Sequence, residues 1–406
     1  MKTKFLRKTV ILFGLFLVFS CAQDPIFFTI STEPVPEKPR IQGSPTNMAV
    51  FRRNDVPLMY VASGSLHWYG KTGWDSADYR IPQPGGKIIG LAATNTHLYA
   101  LCIIGSGVST VLRRIGPADD QWQDIIVESQ YILIQSIFAD KDALFAGAMN
   151  YNGIYGIRYL VENPTGPSLQ LLNKETENTE MLSGAARRGG FHYLSTRGKG
   201  VYKVATDISS VEQLADLDSV DESRRNRLFM GMIQLEDEKI IVVERNGGAF
   251  FEVQESGFTQ IRYSDGKTVT AGRYSTGALA LWQEVIRDDN GENPQPGVKK
   301  MLVAGKQGGL YSTTTSSSYT HGYVEFELNP DGSLNLDPIR RDNSPSITVD
   351  GNTDRYTATI GKHPINYLYQ TSHEVDANMI FFASTQTAGL WSYRNRTGGL
   401  QWNAEK

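Results

Sequence analysis

Met301–Thr313 reads Met-Leu-Val-Ala-Gly-Lys-Gln-Gly-Gly-Leu-Tyr-Ser-Thr: an apolar run, a short polar turn with glycine, then Gly-Leu-Tyr. The phrase recurs. Gly–apolar–aromatic triplets stand at Gly153-Ile154-Tyr155, Gly200-Val201-Tyr202, Gly248-Ala249-Phe250, Gly309-Leu310-Tyr311 and Gly389-Leu390-Trp391. Each follows an apolar run: Ala143–Ala146, Phe191–Leu194, Ile240–Val243, Met301–Ala304 and Met379–Ala383. Run and aromatic are close enough for a tight antiparallel hairpin whose glycine takes a positive-φ or bulge position. Two weaker copies precede these, Leu58–Ala62 leading to Trp68 and Leu98–Ile103 leading to Val111-Leu112, so the count is seven.

The first three triplets lie 47 and 48 residues apart; the next steps, 61 and 80, contain visible insertions. A period of this size, with about four short strands in each repeat, is the signature of a β-propeller. Blade sheets stack face to face around an axis, so their inner strands bury both faces and lose in/out alternation. Met379-Ile380-Phe381-Phe382-Ala383 is such a run. A parallel α/β sheet would need long amphipathic helices between the runs, and the intervals are instead rich in Gly, Ser, Thr and aromatics. The expected fold is therefore all-β: a seven-bladed β-propeller of four-stranded antiparallel blades over residues 46–406. Blade boundaries are expected near residues 81, 127, 172, 217, 263 and 328, with the last blade beginning near 365 and ending on an outer strand at Leu400–Trp402. Ser209–Leu217 reads as a short helix replacing an outer strand.

The Gly-Gly-Leu-Tyr and Ala-Gly-Leu-Trp-Ser-Tyr-Arg copies resemble the repeats of bacterial extracytoplasmic propellers, of the two-component-regulator and BNR-like kinds. The resemblance spans about residues 46 to 404. It implies the fold and leaves function open, since such repeats occur in sensors, scaffolds and hydrolases.

Residues 1–20 read as a targeting segment: a basic n-region with Lys2, Lys4, Arg7 and Lys8, then the apolar stretch Val10–Phe19, too short to span a bilayer as a helix. Ser20-Cys21 directly after it, with Val18 three places before the cysteine, resembles the lipobox of bacterial lipoproteins, although Phe19 is bulkier than usual. That resemblance implies diacylation of Cys21, which would become the mature N-terminus, and a membrane-anchored place in the bacterial cell envelope, periplasmic or surface-exposed. Several acyl chains anchor stably where one does not. Residues 21–45, with five prolines, read as a tether. Within it Phe27–Ile30 is apolar enough to latch the last blade as a strand, or is plain linker. With Cys21 acylated, the one other cysteine, Cys102, has no disulfide partner and reads as a small buried hydrophobe.

Without its four n-region cations the chain carries 36 Lys and Arg against 43 Asp and Glu, a net charge near −7. That argues against nucleic acid and against a broad basic membrane face. The six histidines show no zinc-hydrolase spacing, and His97 and His192 read as satisfied core residues; no cofactor is implied. The loops at 288–292 and 350–354 are faintly calcium-like but lack the glycine and closing glutamate of a calcium loop. Tyr79-Arg80-Ile81-Pro82 resembles the sialidase motif whose arginine clamps a substrate carboxylate, while the Asp-box repeats of that family are absent.

One charge pattern stands out. Hairpin turns and blade-to-blade connections share a rim around the axial mouth, and on that rim fall Arg197, Lys199, Arg245 and Lys306, with Arg224, Arg225 and Arg227 and with Arg340 and Arg341 on connections. A localised basic mouth concentrates anionic ligands; solvated turn residues neutralised by Asp218, Asp221 and Glu222 are the other reading. The polar excursion Asn329–Pro364 would sit on this rim and Arg287–Val298 on the opposite one. The expected function is a non-catalytic binding or scaffold protein of the envelope, its partner an envelope protein or a small anionic ligand. The alternative is a sialidase-like glycan hydrolase or lyase at the axial mouth, which requires converging carboxylates; the five clear hairpin turns carry one acid, Glu244.

Overall fold

Each apolar run is a strand with both faces covered. Leu58-Met59-Tyr60-Val61-Ala62 shows why alternation is lost: Tyr60 and Ala62 pack on Leu91 and Cys102 of the next repeat, Met59 and Val61 on Phe382 and Leu390 of the last, and none of the five is more than 1% exposed. In this computed structural model the described residues are 41–105, 109–127, 132–150, 153–164, 166–172, 181–219, 226–245, 247–271, 275–287, 294–306, 323–336, 360, 364–386, 388–396 and 399–405.

Their strands form seven sheets of three to five strands, here numbered I to VII. Sheet I comprises Ala49–Arg53, Val56–Ser63, Ser65–Gly70 and Gly73–Trp74, and sheet II comprises Lys87–Ala93, Leu98–Ile104, Ser109–Ile115 and Gln123–Asp124. Sheet III runs Ile132–Ala139, Leu144–Asn150, Tyr155–Asn163 and Gly166–Leu171, and sheet IV runs Leu182–Arg188, Phe191–Thr196, Val201–Ala205 and Val211–Gln213. Sheet V contains Phe229–Gln234, Ile240–Glu244, Phe250–Val253 and Gly257–Gln260; sheet VII contains Ile365–Gln370, Phe381–Thr385, Leu390–Arg396 and Gly399–Ala404. Sheet VI has three described strands, Ser275–Arg287, Pro294–Lys306 and Tyr323–Glu327. Sheets III and V gain a fifth, parallel strand from the preceding connection, Ile126–Val127 and Ala215–Asp216.

Consecutive sheets are joined by apolar clusters, and so are the last and the first. Phe145 meets Leu194 between III and IV; Val242 meets Phe229 and Phe258 beside Tyr193 and Val201 between IV and V. Trp402, Phe381 and Tyr393 of sheet VII pack on Met301, Val303 and Tyr323 of sheet VI. At the final seam Phe382, Ile380 and Leu390 meet Met59, Val61 and Tyr69, with Ile41 beside them. Seven sheets stacked in sequence order with the seventh on the first make a closed ring, the arrangement of a β-propeller. Polar bonds reinforce that seam: Tyr69 Oη donates to Asp376 at 2.6 Å, and Trp74 Nε1 to Glu405 at 2.6 Å. Residues 41–46, on the expected boundary of tether and ring, strap across it, with Leu390 N–H donating to Ile41 O, Gly389 N–H to Gly43 O and Ser384 Oγ to Pro45 O.

Three expectations are corrected. The opening stretch does not pair with its own Gly-Leu-Tyr; Met301–Gly305 pairs with Tyr323–Glu327, so Tyr323 holds the place expected of Tyr311, which lies outside the described residues. Ser209–Leu217 is extended, because Val211 packs against Phe145 and Leu182 and the segment pairs with strands on both sides. The polar insertion at Arg287–Val298 begins and ends as strand, since Val285, Ile286 and Arg287 pair with Pro296, Gln295 and Pro294 and lengthen the hairpin. The turn glycines meet expectation: Gly153, Gly200, Gly248 and Gly389 have φ between 67° and 80°. Cys21, Phe27–Ile30 and both calcium-like loops lie outside the described residues, which include no helix long and apolar enough to cross a membrane and no cluster suited to a metal.

Two predictions follow from the packing. Phe382, fully buried against Tyr69 and Trp74, should cost about 3–5 kcal/mol when replaced by alanine, whereas Val298→Ala, 80% exposed, should stay within about 0.5 kcal/mol in urea titrations. Burial pushes the Cys102 thiol from its ordinary 9.0 up to about 11. The fold favours the neutral thiol, so this contribution is intact below pH 9 and fades as pH rises toward 11. Cys102→Ala should flatten that alkaline decline, and thiol reagents should label native Cys102 no faster than the chain unfolds.

Candidate ligand site at the axial mouth

The innermost strands share an irregularity. Pairing with the second strand slips after one or a few residues, leaving out Ile89 in sheet II, Gln135 in III, Ser183 in IV, Met230 in V, three residues in VI and Asn366 in VII. Sheet I shows the same slip around Asn47: Thr46 N–H donates to Ala62 O, whereas Ala49 pairs with Tyr60. A bulge bends its strand and turns side chains out of the pleat. Repeated at one level, it bends every inner strand around the axis.

Glycine lets those strands approach. Gly90, Gly184 and Gly231 directly follow their bulges, and Gly277 lies within that of sheet VI. A Cβ on Gly231 would stand 1.9 Å from Gly277 O, and one on Gly277 2.0 Å from Met230 O. Backbone meets backbone there. The sequence carries this signal as a glycine near the start of four inner strands, in Ile-Ile-Gly, Leu-Ser-Gly, Phe-Met-Gly and Ser-Thr-Gly, a pattern separate from the hairpin glycines.

The bulges surround a cavity of about 510 Å³, lined by inner-strand residues of sheets II to VII and by Ser44, Pro45 and Thr46 of the strap. It opens on the rim of hairpin turns and inter-sheet connections. Its cations are Lys87, first residue of the sheet II inner strand, and Arg197, in the turn between Thr196 and Val201; no carboxylate is among the described lining residues. Tyr367 also faces it. Burial raises the Tyr367 phenol above its ordinary value, and the charge of Arg197 works against that rise, so it is a neutral hydrogen-bond donor at neutral pH.

The turn bearing Arg197 is built for rigidity. Thr196 Oγ1 accepts from Lys199 N–H at 3.0 Å and donates to Gly200 O at 3.2 Å, while Arg197 N–H donates to Met181 O. Sheet VII repeats the device: Thr385 Oγ1 donates to Gly389 O and accepts from Ala388 N–H. Ser-Thr before the polar turn is thus part of the repeat, a feature the triplet search missed.

Of the expected basic rim, Arg197 is the one residue among those described that borders the cavity. Lys199 shares that turn, its carbonyl accepting from Gln213 Nε2; Arg245 is exposed, its N–H donating to Leu228 O; Lys306 ends its strand. Arg224, Arg225, Arg340 and Arg341 lie outside the described residues. Arg227 is neutralised by Asp216 and Glu244, while Asp221 and Glu222 lie outside the described residues. It bridges Asp216 and Glu244 at 2.8 Å each and stacks 4.6 Å over Phe251, because Asp216 is buried in the added strand of sheet V and needs a counterion. Glu244, the one acid of the hairpin turns, is occupied by the same bond. The sialidase-like arginine Arg80 is exposed on an inter-sheet connection, held by its neighbour Ile81 in the core.

At the other end of the axis lies a cavity of about 680 Å³ bordered by Asp140, Lys141, Arg187, Arg188 and Glu238. Its charges are largely engaged: Arg187 bonds Asp142, Arg188 donates to Val253 O at 2.8 Å, and Asp140 bonds buried His192 across the III–IV seam. His192 is thereby the satisfied core histidine expected. Met232 borders both cavities and separates them.

The axial packing predicts unequal glycines. Gly277→Ala should cost several times the roughly 1 kcal/mol expected of a positive-φ glycine in open space, with Gly247→Ala as that reference in urea titrations.

No protein-family model matches this sequence, and neither does any curated protein. Among solved structures, the chain is similar to virginiamycin B lyase from Staphylococcus aureus at 8% identity and a TM-score of 0.48, over 88% of this chain and 97% of that one. Sqt1 of Saccharomyces cerevisiae gives 10% identity and 0.48, over 90% and 86%. The extracellular domain of a putative hybrid two-component system from B. thetaiotaomicron gives 11% and 0.46, over 89% of this chain and 40% of that one. These proteins are β-propellers, and likeness at this level carries no argument about activity.

Proposed function

We propose that the protein is a lipid-anchored, extracytoplasmic binding protein of the bacterial cell envelope, a seven-bladed propeller that holds an anionic group at its axial mouth and catalyses nothing. In this reading each sheet is one blade; six sheets have four strands or more and sheet VI has three among the described residues, and the extra strands of sheets III and V are connections recruited to their outer edges. The observation that carries the binding reading is the lining of the axial cavity, which includes Lys87, Arg197 and Tyr367 with no carboxylate among its described residues. Glycan hydrolysis needs two carboxyl groups about 5–10 Å apart. At the opposite cavity Asp140 is committed to His192 and to the amides of its own turn. Anchorage rests on the leader and Cys21.

Two measurements test this. The Cys21→Ala chain should pass from the membrane to the soluble fraction while remaining folded, and intact mass should place a diacylated cysteine at the N-terminus of the wild-type protein. Affinity capture of the acylated protein from its own envelope should then recover a partner or an anionic ligand, with loss of capture for Arg197→Gln. Turnover of envelope glycans by the purified protein, with nothing captured, would defeat the binding reading.

A further inference from the structure

The axial cavity is graded along its depth. At the mouth, where inner strands begin and bulge, stand Lys87, Ser183, Thr276 and Asn366, with Ile89 and Met230 between them and Arg197 from the hairpin turn. Further along the inner strands the lining is Phe138, Met232, Leu279 and Leu368. The change follows from the bulge, which re-aims side chains at the mouth and restores regular pairing below it. Met232 closes the bottom, since it also borders the opposite cavity.

Such a gradient sorts ligands. Inorganic phosphate would use the cations and leave the deep wall against water. A sugar would bring hydroxyls to a wall of Phe138, Leu279 and Leu368 whose side chains offer no hydrogen bond, and each unpaired hydroxyl costs. A folded partner cannot enter a space of about 510 Å³, which falls in the range of small-molecule sites. Resting on the binding function proposed above, we infer that the ligand is a small amphipathic organic anion, its apolar body lying on Phe138, Met232 and Leu368 and its carboxylate or phosphate ester held at the mouth by Arg197 and Lys87. Tyr367 donates to the same head group.

Calorimetric titration of the full chain carrying Cys21→Ala tests this with five probes: decanoate, decyl phosphate, 1-naphthoate, decanol and inorganic phosphate. At least one of the three amphipathic anions should bind with a negative heat-capacity change, the mark of buried apolar surface, and decanoate against decyl phosphate identifies the head group. Decanol and inorganic phosphate should each bind at least tenfold more weakly. Arg197→Gln should weaken the anion about tenfold or more, with smaller losses for Lys87→Gln and Tyr367→Phe, while Lys199→Gln, which does not line the cavity, should change nothing. Lys87 is exposed, so its variant remains informative if Arg197→Gln fails to fold. Inorganic phosphate binding as tightly as the amphipathic anions would overturn this inference and leave the anion-binding function standing. Decanol binding as tightly as decanoate, no binding by any probe, or binding indifferent to both cation variants would overturn both.

Discussion

A sheet that is apolar on both faces has no stable place at the end of a stack. Each of the seven inner hairpins is of that kind, so a linear array would always leave two greasy faces in water. Closing the ring removes both faces at once, and everything else in the structure depends on that closure. The seam between sheets VII and I is also the one place where chain connectivity does not hold neighbours together. Directional bonds accumulate there: Tyr69 to Asp376, Trp74 to Glu405, and the strap from Ile41 to Pro45 laid over Gly389 and Leu390. Apolar packing alone tolerates sliding. A buried carboxylate such as Glu405, 4% exposed and bonded to both Trp74 and Ser392, fixes the position because a slip would leave it unpaired.

Closure sets the second constraint, that several inner strands share one axis. Their separation is fixed by the smallest approach the backbone permits, which is why the sequence spends glycine at Gly231 and Gly277. The bulge then becomes useful. It gives each strand one residue freed from the ladder and pointed by the bend, and a repeated fold thereby acquires a ring of positions that can differ from sheet to sheet without cost to the stack. Ile89, Gln135, Ser183, Met230 and Asn366 occupy equivalent places and share no chemistry. Stability is carried by what repeats, and the chemistry of the axial lining by what does not.

The same division explains what was legible. Repeat length, the run of buried residues and the positive-φ turn glycines are local properties that recur along the chain, so the succession of sheets could be read from Leu58–Ala62 through Met379–Ala383. The opening stretch itself misled on one point. Gly309-Leu310-Tyr311 satisfies the triplet, yet Tyr323–Glu327 pairs with its apolar run, and a pattern of three residues cannot choose between two candidates at different loop lengths. Ser209–Leu217, expected as a short helix, is extended instead, because pairing of Val211–Gln213 with Val201–Ala205 outweighs local preference.

The site was legible only in part, for a geometric reason. Hairpin turns and inter-sheet connections do share a rim, but a rim is wide, and sequence alone does not say which of its side chains turn inward. Arg197 does; Arg245 is solvated; Arg227 is spent on Asp216, a burial that no reading of charge along the chain reveals. Lys87 was overlooked because it sits neither in a turn nor in a cluster, at the first residue of an inner strand. Position on the strand decides access to the axis, and density of cations in the sequence does not. For a ring of this kind the productive question to put to a sequence is which residues open each inner strand. Asking it here places Lys87, Ser183, Met230, Thr276 and Asn366 on one cavity, although no two of them are neighbours in the chain.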